Sequence, residues 1–212
     1  MYLSHDYGYD YVQLDFLVSL IRQPALWGAF LFFAFSSAGL SAVQNYSIPL
    51  LSNVYGLTQV LAGSTLSAYM VAAAVGMIGG GFLVGASKKT ERIIFVMLCL
   101  AGVFMWLLAL NVVDSSLAIV LVVLGGVCVG VAAPSRDMLI RRVTLKGATG
   151  SVYGLVYSGM DVGAAIAPVV FGQLIDAQFD RAPWYGGALA FVMSAFLAVA
   201  VAKGAQRQQA TR

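Results

Sequence analysis

Long apolar stretches alternate with short polar loops along this chain, and the stretches are apolar all round rather than on one stripe. A soluble helix balances its apolar face with a polar one, whereas runs beyond about 18 apolar residues predict membrane spans. The pattern predicts six helices, over about 25–51, 58–84, 92–111, 116–141, 148–175 and 184–203. They form one transmembrane bundle over residues 24–204, between a leader over 1–23 and a tail over 205–212. In the leader, "LDFLVSLIRQP" sets Leu14, Leu17, Val18 and Ile21 on one helical stripe. That suits a short interfacial helix ending at Pro24, with a plain linker as the alternative.

Composition agrees. The 212 residues are 60% hydrophobic and 10% charged, where a soluble domain is about a quarter charged. A span takes about 20 residues, so six spans fill the chain and leave no room for a separate soluble domain. The start "MYLSHDYGYDYVQ" has neither a basic n-region nor a cleavage site, so no signal peptide is expected. Cys99 and Cys128 both fall inside predicted spans, which implies no disulfide framework. His5 is the one histidine and lies in the leader, so neither a metal site nor a histidine relay is expected, and no cofactor.

Charge sets the expected orientation. Basic residues gather in "GASKKTER" after helix 2, in "RRVTLKG" after helix 4, in the tail and at Arg22. The other loops, "SNVYGL", "VVDSS" and "DAQFDRAP", offer only Arg181 against several Asp. The positive-inside rule then puts both termini in the cytoplasm, and the membrane expected is a bacterial inner (plasma) membrane.

The chain also repeats. "VAAAVGMIGGGFLVG" (Val71–Gly85) lies over "VGAAIAPVVFGQLID" (Val162–Asp176) without a gap, matching Val71/Val162, Ala73/Ala164, Ala74/Ala165, Gly81/Gly172 and Leu83/Leu174. Each segment ends the second helix of a three-helix set, one running inward and the other outward. The expectation is a 3+3 inverted repeat, the build of many secondary transporters.

Polar side chains are unevenly spread. Helices 3 and 6 carry few and are expected at the periphery, while helices 1, 2, 4 and 5 hold the candidates for a wet interior. Ser41 and Asn45 mark a polar stripe on helix 1, and Tyr69 falls near the middle of helix 2. On helix 5, Tyr153, Tyr157 and Asp161 recur every fourth residue and share a face. Asp161 is the sharpest feature. It lies about 12 residues into its helix, roughly 18 Å deep and near mid-bilayer. A carboxylate there is costly unless paired or hydrated, and one that gains and loses a proton suits a proton-coupled carrier. A structural, paired Asp is the competing reading. In the repeat Asp161 aligns with Met70, so the shared scaffold does not require it. A second charged cluster, "APSRDMLIRR", holds Arg136, Asp137 and Arg141 at the inner end of helix 4. It reads as an inner gate, with direct pairing of Arg136 to Asp161 as the less favoured alternative.

"GGGFLVGASKKTERI", "APSRDMLIRR" and "GSVYGLVYSGMDVGAAIAPVVFGQLID" resemble the C-terminal half of a major facilitator superfamily transporter, over about Leu20 to Lys203. Gly81 and Lys89 fit the family's loop motif G-x-x-x-D-[RK]-x-G-[RK]-[RK], whereas Gly85 takes the acidic position, Ala86 a basic one and Lys88 the second glycine. The resemblance implies an all-α membrane protein, half of a major-facilitator-like fold, with helices 1, 2, 4 and 5 lining a central cavity. It also implies a partner, since such transporters set the substrate between two six-helix halves: a second copy in a homodimer, or a separate N-terminal half.

The expected function is half of a secondary-active transporter moving a small solute by alternating access, proton-coupled, in a lipid bilayer. The alternative is a non-transporting subunit or a degenerate remnant, toward which Gly85 leans. An enzyme is not expected, because no intramembrane histidine or paired aspartates occur. An aquaporin-type channel is set aside because no paired Asn-Pro-Ala occurs. Nucleic acid is no expected partner, since topology accounts for the net charge of +3.

Overall fold

The computed structural model describes residues 23–87, 89–143 and 149–210. The leader and its stripe, Lys88 and residues 144–148 lie outside the described residues. The described residues form six helices: α1 (Pro24–Tyr55), α2 (Gln59–Ala86), α3 (Thr90–Leu110), α4 (Ser115–Val143), α5 (Thr149–Asp176) and α6 (Ala182–Ala210). All six are long and apolar enough to cross a membrane.

Local chemistry fixes the ends. Pro24 opens α1, where its missing N–H would have had no partner anyway. Gly56 closes it with φ of 67°, and the N–H groups of Gly56 and Leu57 return to Ser52 and Leu51. The helix therefore runs past Leu51, where the sequence reading stopped, to the first residue able to turn left-handed. Thr58 caps α2 by accepting from the Leu61 N–H at 3.3 Å. Just past α5, Gln178 turns the chain with φ of 69°, and the Phe179 N–H donates to the Leu174 carbonyl at 2.9 Å.

The packing has one plan. α1 holds α5 and α6, α4 holds α2 and α3, and α3 packs on α6 between them, while α1 and α2 touch lightly. Glycine makes the two outer pairs close. A methyl group at Gly159 or Gly163 would meet the Phe30 or Ala34 carbonyl of α1. One at Gly126 or Gly130 would meet the Tyr69 or Ala73 carbonyl of α2. Such close backbone approach takes the place of a hydrophobic drive, which lipid cannot supply.

The middle pair packs differently. α6 buries Trp184, Ala188, Phe191, Ala195, Ala198, Ala202 and Ala205, and α3 buries Ile94, Leu98, Ala101, Met105 and Leu108. Both stripes step by four and three residues in turn, the seam of left-handed helix packing. α3 and α6 thus pack on each other along one face, while Val96, Leu100 and Val103 of α3 and Leu189, Met193 and Phe196 of α6 stay exposed on another. Two polar clasps reinforce them. The Ser36 and Ser194 hydroxyls lie 2.7 Å apart, and Ser194 donates to the Phe32 carbonyl at 3.2 Å. At the C-terminal end of α3, the Leu108 carbonyl accepts from the Tyr55 hydroxyl and the Ala109 carbonyl from the Arg181 guanidinium, each at 2.9 Å.

α2 and α5 end this row of neighbours, each resting on one main partner. In the most apolar part of each helix, 17% of α2 and 28% of α5 is buried, against 56% of α1. The open sides of the bundle therefore belong to α2 and α5.

Candidate functional site

Asp161 stands midway along α5, on the face turned away from Gly159 and Gly163 and so away from α1. Its side chain is exposed, and no described residue forms an ion pair or hydrogen bond with it. The helix register dictates this. The two glycines must face α1, which rotates Asp161 outward. A carboxylate near mid-bilayer costs about 2.5–3.5 kcal/mol on insertion scales, and no described residue pairs with this one to offset it.

One to two turns nearer the N-terminus of α5, an aromatic cluster links three helices. Tyr153 and Tyr157 stack with centroids 5.8 Å apart, and Tyr157 leans on the Phe33 ring of α1 at 5.3 Å. The Arg136 guanidinium of α4 also sits 5.1 Å from the Phe33 ring centroid. Such cation–π contacts strengthen when water is excluded. Asp137 completes the cluster, 3.8 Å from the Arg136 Nε. Arg136 is therefore engaged with Phe33 and Asp137, and it forms no pair with Asp161. Phe33 is fully buried at the centre of the cluster. The sequence reading missed it, since nothing in "FLFFAFSS" distinguishes one ring from the next.

The remaining candidates are scattered. Asn45 is exposed and donates to the Ser41 hydroxyl at 2.8 Å, but Ser41 itself is buried. Tyr69 lies inside the bundle against Gly126, only 2% exposed, with no hydrogen-bond partner for its hydroxyl among the described residues. It shares a cavity of about 20 Å³ with Ser47 and Trp184, away from the face of Asp161. Within this bundle Tyr69 and Asp161 therefore stand apart. Gly126 and Gly130 pull that side of α2 against α4, and the tyrosine turns inward with it. Gly81 is exposed with open space around it, Lys89 and Arg141 are exposed, and none of the three joins the Arg136–Asp137 pair.

Six helices long and apolar enough to cross a membrane define an integral, multi-pass membrane protein. The family model of the Major Facilitator Superfamily matches residues 29–211. The chain belongs to that superfamily, a family of transporters. No curated protein and no solved structure matches the chain.

Proposed function

We propose that this chain is one half of a secondary-active carrier that moves a small solute by alternating access, coupled to protons through Asp161. The observation that carries the reading is the exposed Asp161 carboxylate, central in a membrane helix and without a protein partner. A structural aspartate at that depth would be paired. An open one suits a site completed by water, solute and a second six-helix unit. That unit is a second copy or a separate N-terminal half, laid over the face of Asp161 and Asn45. The Arg136–Asp137 pair, Phe33 and Tyr157 then form an inner layer that opens and closes beneath the carboxylate, with Tyr153 stacked on it. Gly81, Lys89 and Arg141, unpacked within one bundle, face the loops of the second. Both termini lie in the cytoplasm of a bacterial cell, on the basic loops.

The packing plan supports the 3+3 inverted repeat. Exchanging α1 with α4, α2 with α5 and α3 with α6 turns the α1–α5 and α1–α6 contacts into α4–α2 and α4–α3, while α3–α6 maps onto itself. Gly85, where the loop motif has an acidic residue, favours the second reading, a non-transporting subunit or degenerate remnant.

Proteoliposomes with an entrapped pH dye separate the two. The wild-type assembly is expected to move protons when a transported solute from a panel is added. Asp161→Asn should insert normally and lose at least about a hundredfold in proton movement, since general acid–base groups contribute roughly that much or more. Unchanged proton movement in Asp161→Asn would remove the carboxylate from the mechanism. Silence of the wild type across the panel, with its partner present, would favour the remnant.

A further inference from the structure

α5 and α6 are joined by a tight turn, yet they hardly touch. Phe171 of α5 stands between them. Its ring occupies the place where a side chain on Gly186 would sit, and Tyr46 holds it edge-on at 5.9 Å. The Tyr46 hydroxyl in turn donates to the Pro168 carbonyl at 2.8 Å. This wedge leaves a groove of about 280 Å³ between α1, α5 and α6, walled by Leu31, Phe35, Val162, Ile166, Val170 and Leu189 among others, with almost no polar surface. Toward the α5–α6 turn it adjoins, at the shared Gly186 and Leu189, a second hollow of about 730 Å³. That hollow is lined by Trp106, Gln178, Asp180, Arg181 and Tyr185.

We propose that these adjoining hollows bind one zwitterionic glycerophospholipid, with an acyl chain between α5 and α6 and the headgroup at Asp180 and Arg181. Three features select this occupant. The walls from Val162 to Leu174 span roughly 18 Å of helix, close to the ~15 Å of one leaflet's hydrocarbon. Trp106 and Tyr185, in edge contact at 5.2 Å, sit at the mouth, the level at which aromatic belts meet headgroups. The mouth also carries both charges of a zwitterion. Arg181 spends one N–H on the Ala109 carbonyl and keeps others for a phosphate, while exposed Asp180 can receive an ammonium. The acyl chain gains no hydrophobic energy by leaving other lipid, so the headgroup contacts decide which lipid is held. The groove uses none of the carrier's proposed polar residues, so this site stands whether or not Asp161 moves protons.

The test is native mass spectrometry of the protein after extraction from nanodiscs of equal parts phosphatidylethanolamine and phosphatidylglycerol. The wild type is expected to retain one phosphatidylethanolamine. Asp180→Asn should erase the preference over phosphatidylglycerol. Arg181→Gln should lower retention of both by at least about tenfold, the worth of one charge-assisted hydrogen bond. Leu189→Trp, at an exposed position that leaves the α3 clasp intact, should expel the lipid by filling the groove. Absence of retained lipid in the wild type would overturn the proposal. So would a preference for phosphatidylglycerol, equal retention by the wild type and Leu189→Trp, or crosslinking of two copies through Leu189.

Discussion

At the level of single residues, what the sequence exposed was charge, and what it hid was rotation. Asp161 is conspicuous because nothing near it in "YSGMDVGAAIAP" is charged, and it is exposed on α5 with no partner among the described residues. Tyr69 was a weaker candidate, and its direction is set by Gly126 and Gly130 on another helix, so α2's own sequence could not report it. The two residues should therefore part company under mutation. Tyr69→Phe is expected to keep proton movement within about twofold of wild type, since its hydroxyl lies off the open face. A loss as large as that of Asp161→Asn, read in the same dye assay, would bring Tyr69 back into the pathway. Glycines allow a cleaner test of packing. Gly163→Val would push a side chain into the Ala34 carbonyl and should cost at least about 2 kcal/mol. Gly154→Ala, with open space around it, should cost nothing. Denaturant titration in mixed micelles reads both, and equal stabilities would remove the α1–α5 contact from the account.

Among elements, the number of spans was plain from hydropathy, but the order of their packing was not. The expectation that α3 and α6 are peripheral rested on their lack of polar groups and did not foresee that they pack on each other. Their four-three stripes of buried residues were present in the chain, obscured by Val, Leu and Phe on every other face. In a membrane apolar character no longer separates inside from outside, so periodicity loses its usual meaning. Helix ends are more legible. Gly56 and Asn111 both take the left-handed turn that their residue types favour. Gln178 takes the same turn without that preference, at φ of 69°. Gln178→Gly is expected to raise stability by about 1 kcal/mol by relieving the left-handed strain. A lower unfolding midpoint in detergent would show that the α5–α6 turn depends on the glutamine side chain instead.

For the whole molecule, the description turns on an imbalance. α1, α3, α4 and α6 bury one another, while α2 and α5 leave wide open sides, and on one of these stands a carboxylate. Hydrocarbon offers no hydrogen-bond partner to Asp161 or Asn45, and a second bundle with enclosed water does. The most direct measurement is crosslinking in native membranes. Cys99 and Cys128 are first replaced by Ala, and one cysteine is then introduced at Asn45 on the open face, or at Val103 on α3 as the control. A short bis-maleimide should shift the Asn45 variant to the mass of two six-helix units and leave the Val103 variant unshifted. A monomer that does not crosslink from Asn45, yet still moves protons with solute in liposomes, would contradict the half-carrier account.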